Sequence, residues 1–395
     1  MAKLRIGIAM FFQHSFFSSG VTTTAMSLAA ALTKLGHTVI LVNTNGSVEW
    51  FEDCESLQTK YERRHLSQWT DKKHDTLDLC IDIDGFLIPT ERRRIGSKVA
   101  VFIRKPSFLS EVENTVYPVK QPIRNILECD SVWTWDQFGS QDIELLELLS
   151  RKHVFRIPYT WSEDAVESFG KNHPPWIYNE TIPWEPHSME SNTSVSSNST
   201  LSYVQISYIK QHTSIPIEQW SVHNMAHIDK EKFFQENILA HCKTSGLTIT
   251  CLGRQRCTDL RTRPNSFLLS HVRFMDRKPY LLDCIWNGVP VIHNSTFLKG
   301  LGFGLDRLYY ADNSVKGASS AAESMVSDCK SRTGFFAEGN LLNLRKRLKD
   351  LFDPVPRREL WDAAVLLQPI ASVPQSLPVS LPKKTELVVG FSDLW

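Results

Sequence analysis

At 395 residues the chain is longer than one hydrophobic core commonly supports, so two domains of roughly 150–200 residues are expected. Hydrophobic residues make up 42% and charged residues 22%, a soluble globular balance, and 44 basic against 43 acidic side chains leave a net charge of +1. That balance removes any electrostatic argument for a nucleic-acid or membrane-surface partner and favours a small or uncharged ligand.

The N-terminus, Met1-Ala-Lys-Leu-Arg-Ile-Gly, carries basic residues and a short apolar run, but Gln13-His14 follow without a small-residue cleavage site, and a signal peptide is not expected. No apolar run approaches the roughly 20 residues of a membrane span. Residues 4–10 read as a strand buried on both faces, Thr22–Leu35 as a helix closed by Gly36, and Thr38–Val42 as the next strand, a βαβ unit that implies a parallel sheet. Runs at Leu77–Ile83, Lys98–Ile103, Ser131–Trp135 and His153–Ile157, with a helix at Ile143–Leu149, extend it into a doubly wound domain. Pro174-Pro175, Pro183, Pro186 and the Ser/Thr/Asn-rich Ser191–Thr200 mark a linker or exposed excursion. A second series follows: strand Leu201–Tyr208, helices Ile217–Asn224 and Lys232–Cys242, strand Leu247–Leu252, helix Pro279–Trp286 and strand Val289–His293. Leu344–Leu351 is a basic amphipathic helix, and the proline-punctuated stretch from Pro354 reads as a return over the domain junction.

The expected fold is therefore α/β, two facing Rossmann-like doubly wound domains with a cleft between them. The domains are 1–165, a linker 166–200, 201–353, and a return segment 354–395. The eight cysteines, 54, 80, 129, 242, 251, 257, 284 and 329, are dispersed with no Cys-x-x-Cys pair and read as free thiols of a reducing, cytoplasmic compartment.

Loops at the carboxyl ends of the strands are the candidates for chemistry. The first, Phe11–Gly20, lacks Gly-x-Gly-x-x-Gly, which argues against a dinucleotide site. Gly20 can present helix amides to a phosphate or sugar. His14 suits near-neutral proton transfer, or simply hydrogen-bonds its own loop. Asp82-Ile-Asp84 can hold a metal with a diphosphate if both carboxylates share a face; Gly85 favours turn residues instead. Lys210 and Arg254, each read as following a strand, can neutralise a diphosphate or stand as solvated cations. Asp283 on the helix 279–286 can accept from a ribose diol, and Gly288 opens a turn into Val289-Pro-Val-Ile-His293-Asn294-Ser295. The three polar residues there end a core strand at its carboxyl edge, where they face a ligand or satisfy a strand-to-loop junction.

Asp283-Cys-Ile-Trp-Asn-Gly288-Val-Pro290-Val-Ile-His293-Asn294-Ser295, with Gly300-Leu-Gly-Phe-Gly304, resembles the C-terminal domain of GT-B glycosyltransferases of the glycosyltransferase-group-1 (family 4-like) kind. The resemblance is nearest to a branch found in bacteria and large algal DNA viruses, and host cytoplasm is the expected location if the chain is viral. Trp133-Thr134, Ile157-Pro-Tyr-Thr-Trp161 and Val204–Pro216 carry weaker similarity, over about residues 1–315. The resemblance implies a UDP- or GDP-sugar donor on the second domain, a glycan or glycoconjugate acceptor on the first, no obligatory cofactor or metal, and retention. The family's Glu-x7-Glu pair falls on Met275 and Asp283, with Asp276 adjacent. Its Arg–Lys pair falls on Gln205 and Lys210, leaving Arg254 or Arg277 to replace the missing cation.

The expected activity is glycosyl transfer in which Lys210, Arg254 and helix amides stabilise the leaving phosphate and His14 acts on the acceptor. Asp283, His293, Asn294, Ser295, Asp276 and Gly288 are expected around the donor, Gly20 and Arg104 on the acceptor side. The alternatives are a catalytically weak carbohydrate- or nucleotide-binding module of the same fold, and a sugar-nucleotide epimerase using Asp82, Asp84 or Asp276.

Overall fold

The computed structural model describes residues 3–368 except 12–19, 45–59, 70–75, 110–111, 113–125, 139, 171–172, 193–196, 226–229, 231 and 233. Its first sheet comprises β1 (Arg5–Met10), β2 (Thr38–Asn43), β3 (Glu62–His65), β4 (Leu77–Ile83), β5 (Gly96–Ile103), β6 (Ser131–Trp135) and β7 (Val154–Ile157). All pair in parallel, in the order β3-β2-β1-β4-β5-β6-β7. The inner strands read as nearly unbroken apolar runs because both faces are covered: every residue of β1 after Arg5 is buried, and so is all of β6. A Cβ on Gly96 would lie 2.5 Å from the Cys80 amide nitrogen, so β5 begins this close to β4 only with glycine.

The second sheet comprises β8 (Glu185–Ser188), β9 (Gln219–Val222), β10 (Thr248–Cys251), β11 (Ser266–Ser270) and β12 (Val291–His293), parallel in the order β10-β9-β8-β11-β12. Strand order reverses beside the first strand of each sheet, between β1 and β4 and between β8 and β11. Ligands bind at the carboxyl ends of such switch points.

The helices are α1 (Gly20–Lys34), α2 (Pro89–Ile95), α3 (Ser140–Ser150), α4 (Asp164–Gly170), α5 (Thr200–His212), α6 (Ala240–Ser245), α7 (Cys257–Leu260), α8 (Pro279–Trp286), α9 (Thr296–Leu301), α10 (Val315–Ser331), α11 (Asn340–Leu351) and α12 (Arg358–Leu366). In α1, Ala25, Leu28, Ala29 and Leu32 recur at helical spacing and are all buried. α12 comes back to pack on β7, and Lys98 Nζ donates to Leu366 O at 3.5 Å. One apolar cluster runs from Ile6 through Trp161 and Trp286 to Val365, so both sheets share it. Trp133, Trp220 and Trp361 are fully buried in it, and truncating any of them to alanine costs about 3–5 kcal/mol.

Three expectations about the second sheet are corrected. Leu201–Tyr208, expected as its first strand, lies inside the helix α5; Ser202, Tyr203, Gln205, Ile206 and Ile209 form its buried face at helical spacing. The first strand is β8, inside the segment expected to be a linker, where Pro186 and polar neighbours hide a strand that is central and therefore buried. Residues 217–224, expected as a helix, contain β9.

Candidate functional site

The carboxyl ends of the two sheets meet. Asp136, just past β6, accepts from Arg277 Nη1 at 2.7 Å, and Gln137 Oε1 accepts from the Arg277 amide at 3.1 Å. Arg277 belongs to the loop that leaves β11 and enters α8. In the same loop Phe274 meets Phe108, beyond β5, edge to face with ring centroids 5.1 Å apart. Beyond β7, Trp161 Nε1 donates to Asp283 Oδ1 at 2.8 Å, and its ring lies 5.3 Å from Trp286. Thr23, Met26 and Ser27 of α1 line a crevice with Tyr61, Asp164 and Asp283. Asp283 is thus the donor-side candidate that reaches the seam. Burial pushes its carboxyl up to about 7, with the Trp161 indole pulling the other way.

On the first sheet's edge, β4 ends at Ile83, and Asp84 leaves it in the left-handed region with φ 62°. The alternation that would put both carboxylates on one face therefore stops, and each finds its own arginine. Asp82 accepts from Arg92 Nε at 2.8 Å and from the Phe86 and Leu87 amides at 3.2 and 3.1 Å, an ion pair sealed from solvent. Asp84 is bound by Arg104 through Nε at 3.0 Å and through Nη2. Neither the shared metal site nor a free acid/base role expected for Asp82 and Asp84 fits these contacts. Arg104 Nη1 lies 3.6 Å from where a Gly20 Cβ would be, so the two residues expected on the acceptor side are neighbours. His14 lies outside the described residues.

On the second sheet's edge, the switch point is occupied by a carboxylate that sequence reasoning missed. Glu190, beyond β8 and fully buried, accepts from Ser270 Oγ at 2.7 Å, Tyr280 OH at 2.8 Å, the His271 amide at 3.2 Å and Ser197 Oγ. Lys278 Nζ, also buried, stands 3.5 Å away. Burial opposes the Glu190 charge, but Lys278 and the hydroxyls of Ser197, Ser270 and Tyr280 outweigh it and hold the carboxyl below its ordinary range. Tyr310 OH adds bonds to Ser270 O at 2.8 Å and to His271 Nδ1 at 3.2 Å. Above this network α5 begins beside Ser199 and Ser202, whose buried hydroxyls have no hydrogen-bond partner.

The remaining donor candidates are used to build the junction. Asn294 grips Val272 twice, Oδ1 accepting from its amide at 2.8 Å and Nδ2 donating to its carbonyl at 2.9 Å. Ser295 caps α9 through the Leu298 amide at 3.0 Å and donates to Asp276 O at 2.9 Å. The Asp276 carboxylate takes Thr296 Oγ1 at 2.6 Å and the Phe297 amide at 2.7 Å. His293 is buried and donates from Nε2 to Leu305 O at 3.2 Å; burial pushes its pKa down to about 4, so it is neutral. These side chains shape the loop after β11. Gly288, φ 77°, turns the chain at the opposite, amino end of β12, where a Cβ would meet Leu341 at 3.0 Å.

Lys210 is corrected outright. It sits in the last turn of α5, remote from the carboxyl edge, and donates to Ile217 O at 2.9 Å and Gly246 O at 2.7 Å, ahead of β9 and β10. Gln205 is buried within the same helix and donates to Ser314 O at 3.4 Å, so neither residue occupies the diphosphate position expected of it. Arg254 does follow β10 and is exposed, at the edge strand of the sheet.

The profile of a family described as a protein of unknown function, DUF2827, matches residues 6–341. The chain belongs to the DUF2827 family. No curated protein sequence matches this DUF2827 chain. Among solved structures it is similar to an alpha-glucosyltransferase in complex with UDP and a 13-mer DNA containing a HMU base, with TM-score 0.56, 12% identity, 92% of this chain and 100% of that one. It is similar to sucrose-phosphate synthase from Thermosynechococcus elongatus, with TM-score 0.54, 13% identity and the same coverage of each chain. It is also similar to the catalytic domain of starch synthase IV from Arabidopsis thaliana bound to ADP and acarbose, with TM-score 0.53, 11% identity and again 92% and 100% coverage. The fold of this DUF2827 member is therefore GT-B, two facing Rossmann-like domains.

Proposed function

We propose that the protein is a glycosyltransferase that moves a sugar from a nucleotide-sugar donor, UDP- or GDP-linked, to a glycan or glycoconjugate acceptor. The observation that carries this reading is the meeting of the carboxyl-edge segments of the two sheets at Asp136–Arg277 and Trp161–Asp283, the arrangement of a two-substrate cleft. Support comes from fold neighbours whose structures hold UDP or ADP.

The diphosphate would lie between the N-terminus of α5 and the loop entering α8. Helix amides and the Ser199 and Ser202 hydroxyls supply donors there, and Arg273, Lys278 and Arg254 supply the charge that Lys210 is too remote to give. Asp283, lining the crevice, serves as the donor-side carboxylate, held by Trp161. As the sugar leaves, charge grows on the departing phosphate and these groups stabilise it. The phosphate then takes the acceptor proton, so no protein nucleophile is needed; retention follows the family resemblance. Arg104 and Gly20 orient the acceptor. One of the fold neighbours is held in complex with DNA, but the balanced charge of this chain favours a neutral acceptor. The described cysteines are free thiols, which suits a reducing compartment, and we place the activity in the cytoplasm.

The test is incubation with UDP-, GDP- and TDP-sugars, with and without acceptor glycans and EDTA. Acceptor-dependent release of nucleoside diphosphate, unchanged by EDTA, is expected. Donor conversion without release would mean epimerisation, and tight binding without turnover an inactive module.

A further inference from the structure

Every phenylalanine exposed among the described residues follows the carboxyl end of a strand on the cleft side: Phe11 after β1, Phe86 after β4, Phe108 after β5 and Phe274 after β11. β1, β4 and β5 are neighbours in the sheet, so at about 4.8 Å per strand the first three span about 10 Å of the acceptor edge. Exposed aromatic side chains gathered at one place mark a binding surface, whereas scattered ones are ordinary.

Phe274 supplies an independent observation. Its φ is 64°, a conformation that bulky residues hold only when neighbours impose it, and here Asn294 fixes Val272 on one side and Asp136 fixes Arg277 on the other. The backbone strain presents a ring that is 60% exposed, edge-on to Phe108 across the domain boundary. On the same edge lies the Asp84–Arg104 pair, in which the guanidinium charge is already met by a carboxylate. A phosphodiester backbone would call for uncompensated cations. A neutral polyol instead wants paired donors and acceptors beside a face that attracts C–H groups.

We infer that Phe86, Phe108 and Phe274, with Phe11 at the border, form a stacking platform for the sugar rings of a carbohydrate acceptor, and that Arg104, held in place by the buried Asp84, addresses the ring hydroxyls. This rests on the glycosyl-transfer reading and assigns the surface that binds the acceptor.

The test titrates the protein with maltotriose, cellotriose and mannotriose, following saturation transfer to the sugar protons, and with UDP, GDP and a DNA duplex in parallel. At least one trisaccharide binds, with transfer concentrated on C–H protons. Phe108→Ala and Phe274→Ala weaken it about tenfold or more, Phe108→Trp retains it and Phe108→Leu does not, while nucleotide affinity is unchanged in the Phe108 variants. Equal trisaccharide binding by the alanine variants, or full retention by Phe108→Leu, overturns the platform. So does nucleotide binding without any trisaccharide binding, duplex DNA binding that depends on Phe108, or a self-associating protein that Phe274→Ala renders monomeric. If neither nucleotides nor sugars bind, the glycosyltransferase reading falls with it.

Discussion

Trp161 Nε1 and Asp283 Oδ1, 2.8 Å apart, join the segment beyond β7 to the middle of α8, so one hydrogen bond couples the two domains at the crevice. The carboxyl is buried and its pKa is raised to about 7 from 3.8. A raised acid pKa means that the unfolded chain gives up its proton first: stability is greatest below the ordinary value, declines as pH rises from 3.8 to about 7, and is level above that. Asp283→Asn keeps the acceptor oxygen for Trp161 and removes the ionisation. Urea unfolding as a function of pH should show the variant gaining on the wild type across that window by a few kcal/mol, at about 1.4 kcal/mol for each tenfold difference in proton affinity between the folded and unfolded chains. Parallel curves would refute the buried-carboxyl assignment.

Burial pushes the Asp82 carboxyl up to about 7 against the pull of Arg92, and Arg92→Ala leaves it without its cation, sealed in the core of the first domain beside the Phe86 and Leu87 amides. A loss of about 3–5 kcal/mol is expected, much of it recovered when Asp82→Ala is added, because the double variant buries no unpaired carboxyl. A double-mutant cycle by denaturant unfolding measures this, and additive losses would show that the pair does not interact.

Lys210→Ala should leave donor turnover and donor KM unchanged while lowering stability by about 1–3 kcal/mol, since its ammonium holds the carbonyls of Ile217 and Gly246. Steady-state kinetics beside thermal unfolding separates the two effects. A loss of turnover in a folded variant would return Lys210 to the phosphate.

At the switch point, Lys278→Ala removes the cation beside Glu190 and should raise the pH of acid unfolding. Glu190 is held below its ordinary range, so its contribution is present above that range and is lost as pH falls through the folded value. Adding Glu190→Gln should restore stability but not donor turnover. Near-ultraviolet circular dichroism during acid titration reports the first effect, and recovered turnover in the double variant would remove Lys278 from the donor site.

The first sheet was legible because β1, β2 and β4 to β7 are covered on both faces and must be written in apolar residues. α8 was legible because Pro279 opens it and Asn287-Gly288 closes it. β8 was not, since a short central strand can be buried through its neighbours while reading Glu-Pro-His-Ser. Missing it displaced the next two elements, turning α5 into a strand and β9 into a helix, and carried Lys210 from the amino edge to the carboxyl edge, while the elements from residue 232 onward that were expected kept their places. Glu190 disappeared for the same reason, inside a Ser/Thr/Asn-rich stretch that carries no pattern. The polar ending His293-Asn294-Ser295 marked the cleft loop, but side-chain commitments to Leu305, Val272 and Leu298 depend on what folds beside it, which spacing along the chain does not encode.

The central claim is that a nucleotide diphosphate binds at the carboxyl edge of the second sheet. Hydrogen exchange with and without saturating UDP or GDP tests it most directly. Slowed exchange is predicted in the first turn of α5 and in residues 272–278, with little change around Lys210; protection confined to the first sheet, or none with either nucleotide, would contradict it.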